Sequence, residues 1–326
     1  MKTLKWQRIG IGLATASAMF LSGAVAQTSK QDSQNEQCSL AVISRQVPAD
    51  QSVCDQPAVE QMARRGHAFE QNQMGLASIL VIGKDYNEKQ ALAWFERAAH
   101  RGYAPAQVNL AVMYINGWGT PANYGAALHW LHAAADQHFA RADYNLGILY
   151  LDGKGVRQDN AEAFRWFQKG AEAGDSSAQA NLGYMYDQGL GVARDIRNAA
   201  AWYRKSAEQG NPLGENNLAD LYLRGEGVAK DQALAFSWFQ KAAAQGHTGA
   251  RIKLGYMYAE GLGTGKNPVA AYAWTSAADK AGDKRGREIL QALEKALKPD
   301  QLASAREQAE KIRKAEPQVS AAVFAQ

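Results

Sequence analysis

Tryptophan recurs along this chain at an interval of 36 residues. Six of the eight Trp share the spacing: Trp94, Trp130, Trp166, Trp202, Trp238 and Trp274. A Tyr column keeps the same period: Tyr114, Tyr150, Tyr186, Tyr222 and Tyr258. Six units cover residues 67–282 without insertion or deletion. A fixed period of this length is typical of repeat architectures, in which each unit buries its core against its neighbours.

Each unit is predicted to contain two helices. In the third unit, Ala142, Leu146 and Tyr150 lie on one face of a first helix, and glycines at 153 and 155 end it. An Asp or Asn then begins the second helix as its N-cap, because its side chain accepts from free N–H groups of the first turn. The six caps are Asn87, Asn123, Asp159, Asp195, Asp231 and Asn267.

The columns that stay constant are expected to form the core. A Leu in the first helix, replaced by Met74 in the first unit, is followed at every copy by a small residue: Gly75, Ala111, Gly147, Gly183, Ala219 and Gly255. We expect this small residue to let a neighbouring helix approach, and the Trp and Tyr to fill the space between helices. An Asn column, Asn109, Asn145, Asn181 and Asn217, is interpreted as structural.

The fourth unit resembles Sel1-like repeats. It reads Leu-Gly-Tyr-Met-Tyr at 182–186, Gly-Leu-Gly-Val at 189–192, Trp-Tyr at 202–203 and Ala-Glu-Gln-Gly at 207–210. The resemblance implies an all-α fold, a right-handed α/α superhelical solenoid of six repeats related to tetratricopeptide repeats. It also implies an adaptor that holds other proteins on its concave face. The departures are mild: His138 replaces the terminal Gly, and Thr275 stands beside Trp274.

The segments outside the repeats have different compositions. Residues 1–26 are predicted to be a cleavable signal peptide, with Lys2, Lys5 and Arg8 before an uncharged stretch that ends in Ala-Val-Ala. Residues 27–66 form a polar extension in which Cys38 and Cys54 are expected to pair in an oxidising compartment. Residues 283–314 are expected to form capping helices, and residues 315–326 a flexible tail.

Signal cleavage changes the charge of the chain. The full sequence has 36 Lys and Arg against 32 Asp and Glu, and the mature chain would keep 33 of those bases, a net charge of +1. Nucleic-acid binding needs a clustered basic surface, so no nucleic-acid partner is expected. No transmembrane segment is expected after cleavage, and the location is predicted to be periplasmic, with an extracellular location as the alternative.

A partner is expected to bind on one variable face of the first helices, because in related superhelices this face lines the groove. The predicted contact residues are Val108, Val112, Tyr144, Ile148, Tyr184, Asp187, Asn216, Asp220 and Tyr256. Tyr144, Tyr184 and Tyr256 are the expected anchors, since Tyr is enriched in binding hot spots. The alternative for each residue is packing inside the superhelix. The stripe starts apolar and becomes mixed and acidic toward the C-terminus.

No chemical site stands out. His129, His132 and His138 are close in sequence and could bind a metal, but no other unit repeats them. The glycine-rich segment 261–265 falls at the turn between helices, which favours a structural role over phosphate binding. No nucleophile or metalloprotease motif is present. We therefore expect no catalytic residue, metal or cofactor.

Three hypotheses for function remain, and the first is favoured. It is a non-catalytic periplasmic or secreted adaptor that binds a protein partner of the cell envelope. The second is a carbohydrate or peptidoglycan binder that uses exposed aromatics such as Trp118 in the Gly-Trp-Gly turn. The third is β-lactam binding or hydrolysis, which is linked to Sel1-like proteins with a Cys pair in most repeats. The repeats of this chain contain no Cys.

Overall fold

A computed structural model describes residues 56–80 and 87–315, and these residues form helices and turns without a strand. They divide into two compact units, whose described parts are residues 56–158 and 159–315. The predicted signal peptide, the Cys38 and Cys54 pair and the tail from residue 316 lie outside the described residues.

The N-terminal unit contains six helices. They are α1 Gln56–Arg65, α2 Ala68–Leu80, α3 Glu88–Ala99, α4 Ala104–Asn116, α5 Tyr124–Ala135 and α6 Ala140–Asp152. Each helix packs against the next one along the chain, so the chain runs back and forth in helix pairs. Helix α1 falls in the predicted polar extension and packs against α2.

The C-terminal unit continues the same alternation. Its helices are α7 Asn160–Glu172, α8 Ser176–Gln188, α9 Ile196–Glu208, α10 Pro212–Arg224, α11 Gln232–Ala244, α12 Thr248–Glu260, α13 Pro268–Lys280, α14 Arg287–Ala296 and α15 Pro299–Lys314, with a 3-10 turn at Lys284–Gly286. Helices α14 and α15 both pack on α13. Leu293, Leu297 and Ala305 close the apolar core at this end.

We call α2, α4, α6, α8, α10 and α12 the first helices of their repeats, and α3, α5, α7, α9, α11 and α13 the second helices. The predicted N-caps are confirmed at all six second helices. In each one the Asn or Asp side chain accepts a hydrogen bond from a backbone N–H of the first turn. Such a cap typically stabilises a helix by about 1 kcal/mol. The repeated Asp or Asn therefore fixes where every second helix begins.

The residue after each Trp is more deeply buried than the Trp itself. At most 1% of each of these side chains is exposed: Phe95, Leu131, Phe167, Tyr203, Phe239 and Thr275. The Trp side chains are half-buried, apart from Trp94, and so are the repeated Tyr. The Trp and Tyr columns do pack between the helices, but they are only partly buried. They lie at the margin of the core.

The small residue of the first helix makes room for that buried side chain. A Cβ added to Gly75 would lie 2.5 Å from the ring of Phe95, and one added to Gly183 would lie 2.7 Å from the ring of Tyr203. Both contacts are shorter than packed carbon atoms tolerate. The Gly or Ala column thus lets the two helices of one repeat approach each other, with the aromatic ring between them.

Cations cover the faces of several Trp rings. Lys205 Nζ lies 3.8 Å from the ring centroid of Trp202, and Lys241 Nζ lies 3.9 Å from that of Trp238. Arg97 and Lys169 take the same place over Trp94 and Trp166. The residues are three apart on a helix, and such pairs stabilise exposed sites by about 0.5–1 kcal/mol.

The second glycine of each turn touches the preceding repeat. Gly191 has a φ of +69°, and a Cβ on it would lie 2.2 Å from the carbonyl oxygen of Asn160. Gly227 and Gly263 meet the first turns of α9 and α11 in the same way, and Gly119 meets that of α3. Turn and helix therefore meet backbone to backbone, at a distance that no side chain would permit.

Buried polar residues link the first helices to the second helices on either side. Gln107 Nε2 donates to the carbonyl of Ala99 at 3.3 Å, and its Oε1 accepts from Gln137 Nε2 at 2.8 Å. Gln179 repeats this arrangement with Ala171 and Gln209, at 3.2 and 2.7 Å. Such buried amides must be paired, because an unpaired one costs about 1–3 kcal/mol. We call these contacts the polar ladder.

Glu215 occupies the ladder position that Gln179 occupies one repeat earlier. It is 2% exposed, and its Oε2 accepts from Gln245 Nε2 at 2.8 Å. Burial raises the pKa of this carboxyl from its ordinary 4.5 to about 7, against the opposing effects of Lys241 and the Gln245 hydrogen bond. The folded chain therefore binds this proton more tightly than the unfolded chain does.

This pKa shift predicts a loss of stability as the pH rises from about 4.5 to 7, because the buried carboxyl must ionise in the folded state. The Glu215→Gln variant should lack that loss and exceed the wild type by on the order of 2 kcal/mol at pH 8. Urea unfolding of both proteins at pH 5 and pH 8 measures this difference in the free energy of unfolding. Gln179→Glu should introduce a similar dependence in α8. Equal pH dependence of Glu215→Gln and the wild type would contradict the assignment.

His138 has a φ of +61° and is the only non-glycine residue with a positive φ in the described ranges. Gly102, Gly174, Gly210, Gly246 and Gly282 hold the equivalent places. A left-handed conformation costs an ordinary residue roughly 1–2 kcal/mol.

The His138→Gly variant is therefore expected to raise the free energy of unfolding by about 1 kcal/mol. The reverse change, Gly174→His, should lower it by a similar amount, since no atom lies within 4 Å of a Cβ built on Gly174. Thermal or urea unfolding of each variant beside the wild type measures both changes. A destabilised His138→Gly protein would show instead that the imidazole makes a stabilising contact.

Candidate partner-binding surface

In the N-terminal unit, most of the predicted contact stripe is buried. Val108 is 0%, Val112 4% and Tyr144 8% exposed, whereas Ile148 is half-buried. The guanidinium of Arg141 lies 5.3 Å from the centroid of the Tyr144 ring and helps to cover it. Val108, Val112 and Tyr144 therefore pack inside the unit, which was the alternative interpretation of this stripe. Ile148 alone among these four keeps an accessible side chain.

In the C-terminal unit, the predicted residues remain accessible. Tyr256 on α12 is 43% exposed, and only one other large hydrophobic side chain in the described residues, Leu234, is equally exposed. Tyr184 and Asp187 on α8 and Asn216 on α10 are half-buried. We call Tyr184, Asp187, Asn216, Asp220 and Tyr256 the first-helix surface.

Ion pairs balance the carboxylates of the first-helix surface. Lys253 Nζ on α12 lies 3.0 Å from Asp220 Oδ1 on α10, which ties two neighbouring first helices together. Arg194 Nη2 lies 3.7 Å from Asp187 Oδ1, and its Nε donates to the Asp187 carbonyl at 2.8 Å. The basic partners are exposed and the carboxylates partly buried, and ion pairs near a surface typically add about 1 kcal/mol or less each. The surface is therefore mixed in charge rather than acidic.

Tyr184 joins this surface to the core. Burial and the nearby Asp187 carboxylate raise the pKa of its hydroxyl above the ordinary value. Full burial raises the pKa of the Tyr203 hydroxyl in α9 as well, and the Asp187 carboxylate adds to that rise. Tyr184 thus remains neutral at physiological pH, and its hydroxyl can donate a hydrogen bond. Its replacement would disturb packing as well as binding, so Tyr256 is the cleaner residue to vary.

The other candidates from the sequence have structural explanations. A Cβ on Gly263 would lie 2.1 Å from the carbonyl oxygen of Gln232, so the glycine-rich segment 261–265 serves the packing of a turn. His129 packs edge to face against Trp130, with centroids 5.0 Å apart. Within residues 56–80 and 87–315, no three His, Cys, Asp or Glu residues are grouped to hold a metal ion. Trp118 is half-buried.

No helix in the described part of the chain has both the length and the apolar character needed to cross a membrane.

The Asn column plays the structural role that was expected. Asn145 and Asn181 donate to carbonyls of their own helices at 2.8 Å, and Asn109 donates to Asn72 Oδ1 at 2.9 Å. These contacts leave the Asn side chains occupied within the fold.

Comparison with known families assigns all six repeats. The model of the Sel1 repeat matches residues 71–103, 104–139, 140–175, 176–211, 212–247 and 249–283. These segments follow the helix pairs described above. The match confirms the expected all-α solenoid fold built from six Sel1-like repeats. No curated protein sequence matched the chain.

Solved structures include similar repeat proteins. A Sel1 repeat protein from Oxalobacter formigenes is 32% identical, with a TM-score of 0.62, over 67% of this chain and 89% of that one. A protective antigen from uropathogenic Escherichia coli, c5321, is 26% identical with a TM-score of 0.49 and covers 88% of this chain and 69% of its own.

Proposed function

Because the chain belongs to the Sel1 repeat family, whose members are typically scaffolds for protein interactions, we propose that it is a non-catalytic adaptor for a protein of the bacterial envelope. Exposure of Tyr256 is the observation that carries the proposal. An exposed large aromatic on a surface that also carries ion-paired residues is typical of a binding hot spot. The partner would contact the first-helix surface through an apolar group placed on the Tyr256 ring.

The observations favour a protein partner over a glycan. Glycan binders use open aromatic faces, whereas four of the repeat Trp rings are covered by cations of their own helices. The β-lactam hypothesis is linked to Sel1-like proteins with a Cys pair in most repeats, and the repeats of this chain contain no Cys. An adaptor role therefore accounts for more of the surface than either alternative.

The adaptor would act in the periplasm after removal of residues 1–26. Extracellular release is the alternative destination. In this oxidising compartment Cys38 and Cys54 would form a disulfide. The proposal rests on the sequence of these segments.

Replacement of Tyr256 by Ala should weaken partner binding by about tenfold or more, because truncating a hot-spot aromatic removes most of its contact area. Cross-linking from a photoreactive amino acid at position 256 identifies the partner in cells. Affinity is then measured with the two purified proteins. Thermal stability should change less than on truncation of a core residue, since 43% of Tyr256 is exposed.

Leu234→Ala is the matched control, since Leu234 has the same 43% exposure but lies at the start of a second helix. It should leave affinity unchanged, and a photoreactive residue there should capture no common partner. Equal effects of the two substitutions, or equal cross-linking from both positions, would argue against a site on the first helices.

Export predicts that the mature protein begins at Gln27 and is found in the periplasmic fraction. N-terminal sequencing of the fractionated protein measures this directly. An Ala24→Lys variant should remain uncleaved, because the site needs a small residue there. Free thiols at Cys38 and Cys54 should appear only after reduction. A cytosolic protein that begins at Met1 and has two free thiols would refute the proposed location.

A further inference from the structure

A cavity of about 660 Å³ opens in the N-terminal unit, where the end of α1 and the start of α2 face the end of α3. Three guanidinium groups line it, those of Arg64, Arg97 and Arg101, together with the imidazole of His100. The side chain of Gln71 forms part of its wall. The cavity belongs to the N-terminal unit, whereas the first-helix surface belongs to the C-terminal unit.

Gln71 is a member of the polar ladder whose pairing is incomplete. It is 3% exposed, and its Nε2 donates to the carbonyl of Ala63 at 3.0 Å, as Gln107 does to Ala99. Its Oε1 is buried and has no hydrogen-bond partner among the described residues. The side-chain amide cannot flip, because Oε1 would then face the Ala63 carbonyl oxygen, and two acceptors cannot form a hydrogen bond. Gln71 therefore holds, beside the cavity, a buried acceptor that lacks a donor among the described residues.

The missing donor is explained by Arg101. In the regular repeats Gln137 and Gln209 donate to the ladder residue 30 positions earlier, and Arg101 stands at the equivalent position for Gln71. Its guanidinium lies instead against Gly66, where an added Cβ would be 2.5 Å from Nη2. The presence of Arg101 where other repeats have Gln thus removes one hydrogen bond of the ladder and places a cation at the cavity.

The charge around the cavity is positive. Glu60 accepts a hydrogen bond from Arg64 Nε at 3.1 Å. Arg97 stacks on Trp94, with its Cζ 4.6 Å from the ring centroid. Neither Arg97 nor Arg101 makes an ion pair within the part of the chain that the structure describes. Two guanidinium groups are thus available to a carboxylate, which Arg binds well because their geometries match.

We propose that this cavity binds a carboxylate that carries an adjacent hydrogen-bond donor, as in the last residue of a peptide chain. The carboxylate would accept from Arg97 and Arg101, and the amide N–H of the same residue would donate to Gln71 Oε1. An anion with acceptors alone, such as the phosphate dianion, would set a lone pair against that oxygen. The combination of two cations with one unsatisfied acceptor therefore selects against simple anions.

The test uses the mature chain and three probes: acetyl-trialanine with a free carboxylate, its C-terminal amide, and inorganic phosphate. Calorimetry or NMR titration should detect the free acid and find the amide and the phosphate at least about tenfold weaker. The Arg101→Gln variant should bind the acid about tenfold more weakly or worse. It should fold with undiminished stability, because the new Gln restores the ladder contact to Gln71.

Arg65→Gln is the matched control, since Arg65 is an exposed cation on α1 that does not line the cavity. It should bind the acid like the wild type, and so should Tyr256→Ala, which separates this site from the proposed partner surface. Wild-type affinity in Arg101→Gln, or equal affinity for acid and amide, would overturn the proposal. Phosphate bound more tightly than the peptide acid would overturn its ligand class.

Discussion

The stack of repeats depends on one backbone contact between a turn and the helix pair before it. The second turn glycine comes so close to the first turn of the preceding second helix that a Cβ on Gly191 would overlap the carbonyl oxygen of Asn160. The N-cap Asp or Asn sets where that helix begins, and the glycine sets how close the next repeat lies. Together they explain how 36 residues can recur without insertion or deletion.

This arrangement concentrates function where a repeat departs from the common pattern. The ladder amides, the residue after each Trp and the turn glycines are committed to packing. Tyr256 is instead exposed, and Arg101 replaces a ladder Gln and leaves Gln71 without its donor. The column of Tyr256 varies between repeats, and Arg101 stands at a position that holds Gln at 137, 209 and 245. A regular scaffold with a few altered positions can thus carry separate surfaces without a change of fold.

Local features of the fold could be predicted from the sequence, and contacts over longer distances could not. The N-caps and helix ends follow from residues a few positions apart, so all six caps were predictable. The buried column after the Trp varies between Phe, Leu, Tyr and Thr, which hides it from a search for constant residues. Burial of Val108 and Tyr144 depends on the spacing of neighbouring helices, which the repeat period does not specify.

The most direct test of this account compares two glycines of the same turn. Gly189 and Gly191 have φ values of +67° and +69°, so Ala costs similar backbone strain at both. A Cβ at 189 has its nearest neighbour 3.4 Å away, whereas one at 191 would lie 2.2 Å from the Asn160 oxygen. Urea unfolding should therefore find Gly191→Ala less stable than Gly189→Ala by more than about 2 kcal/mol. Equal losses at the two positions would contradict the claim that backbone contact holds the repeats in register.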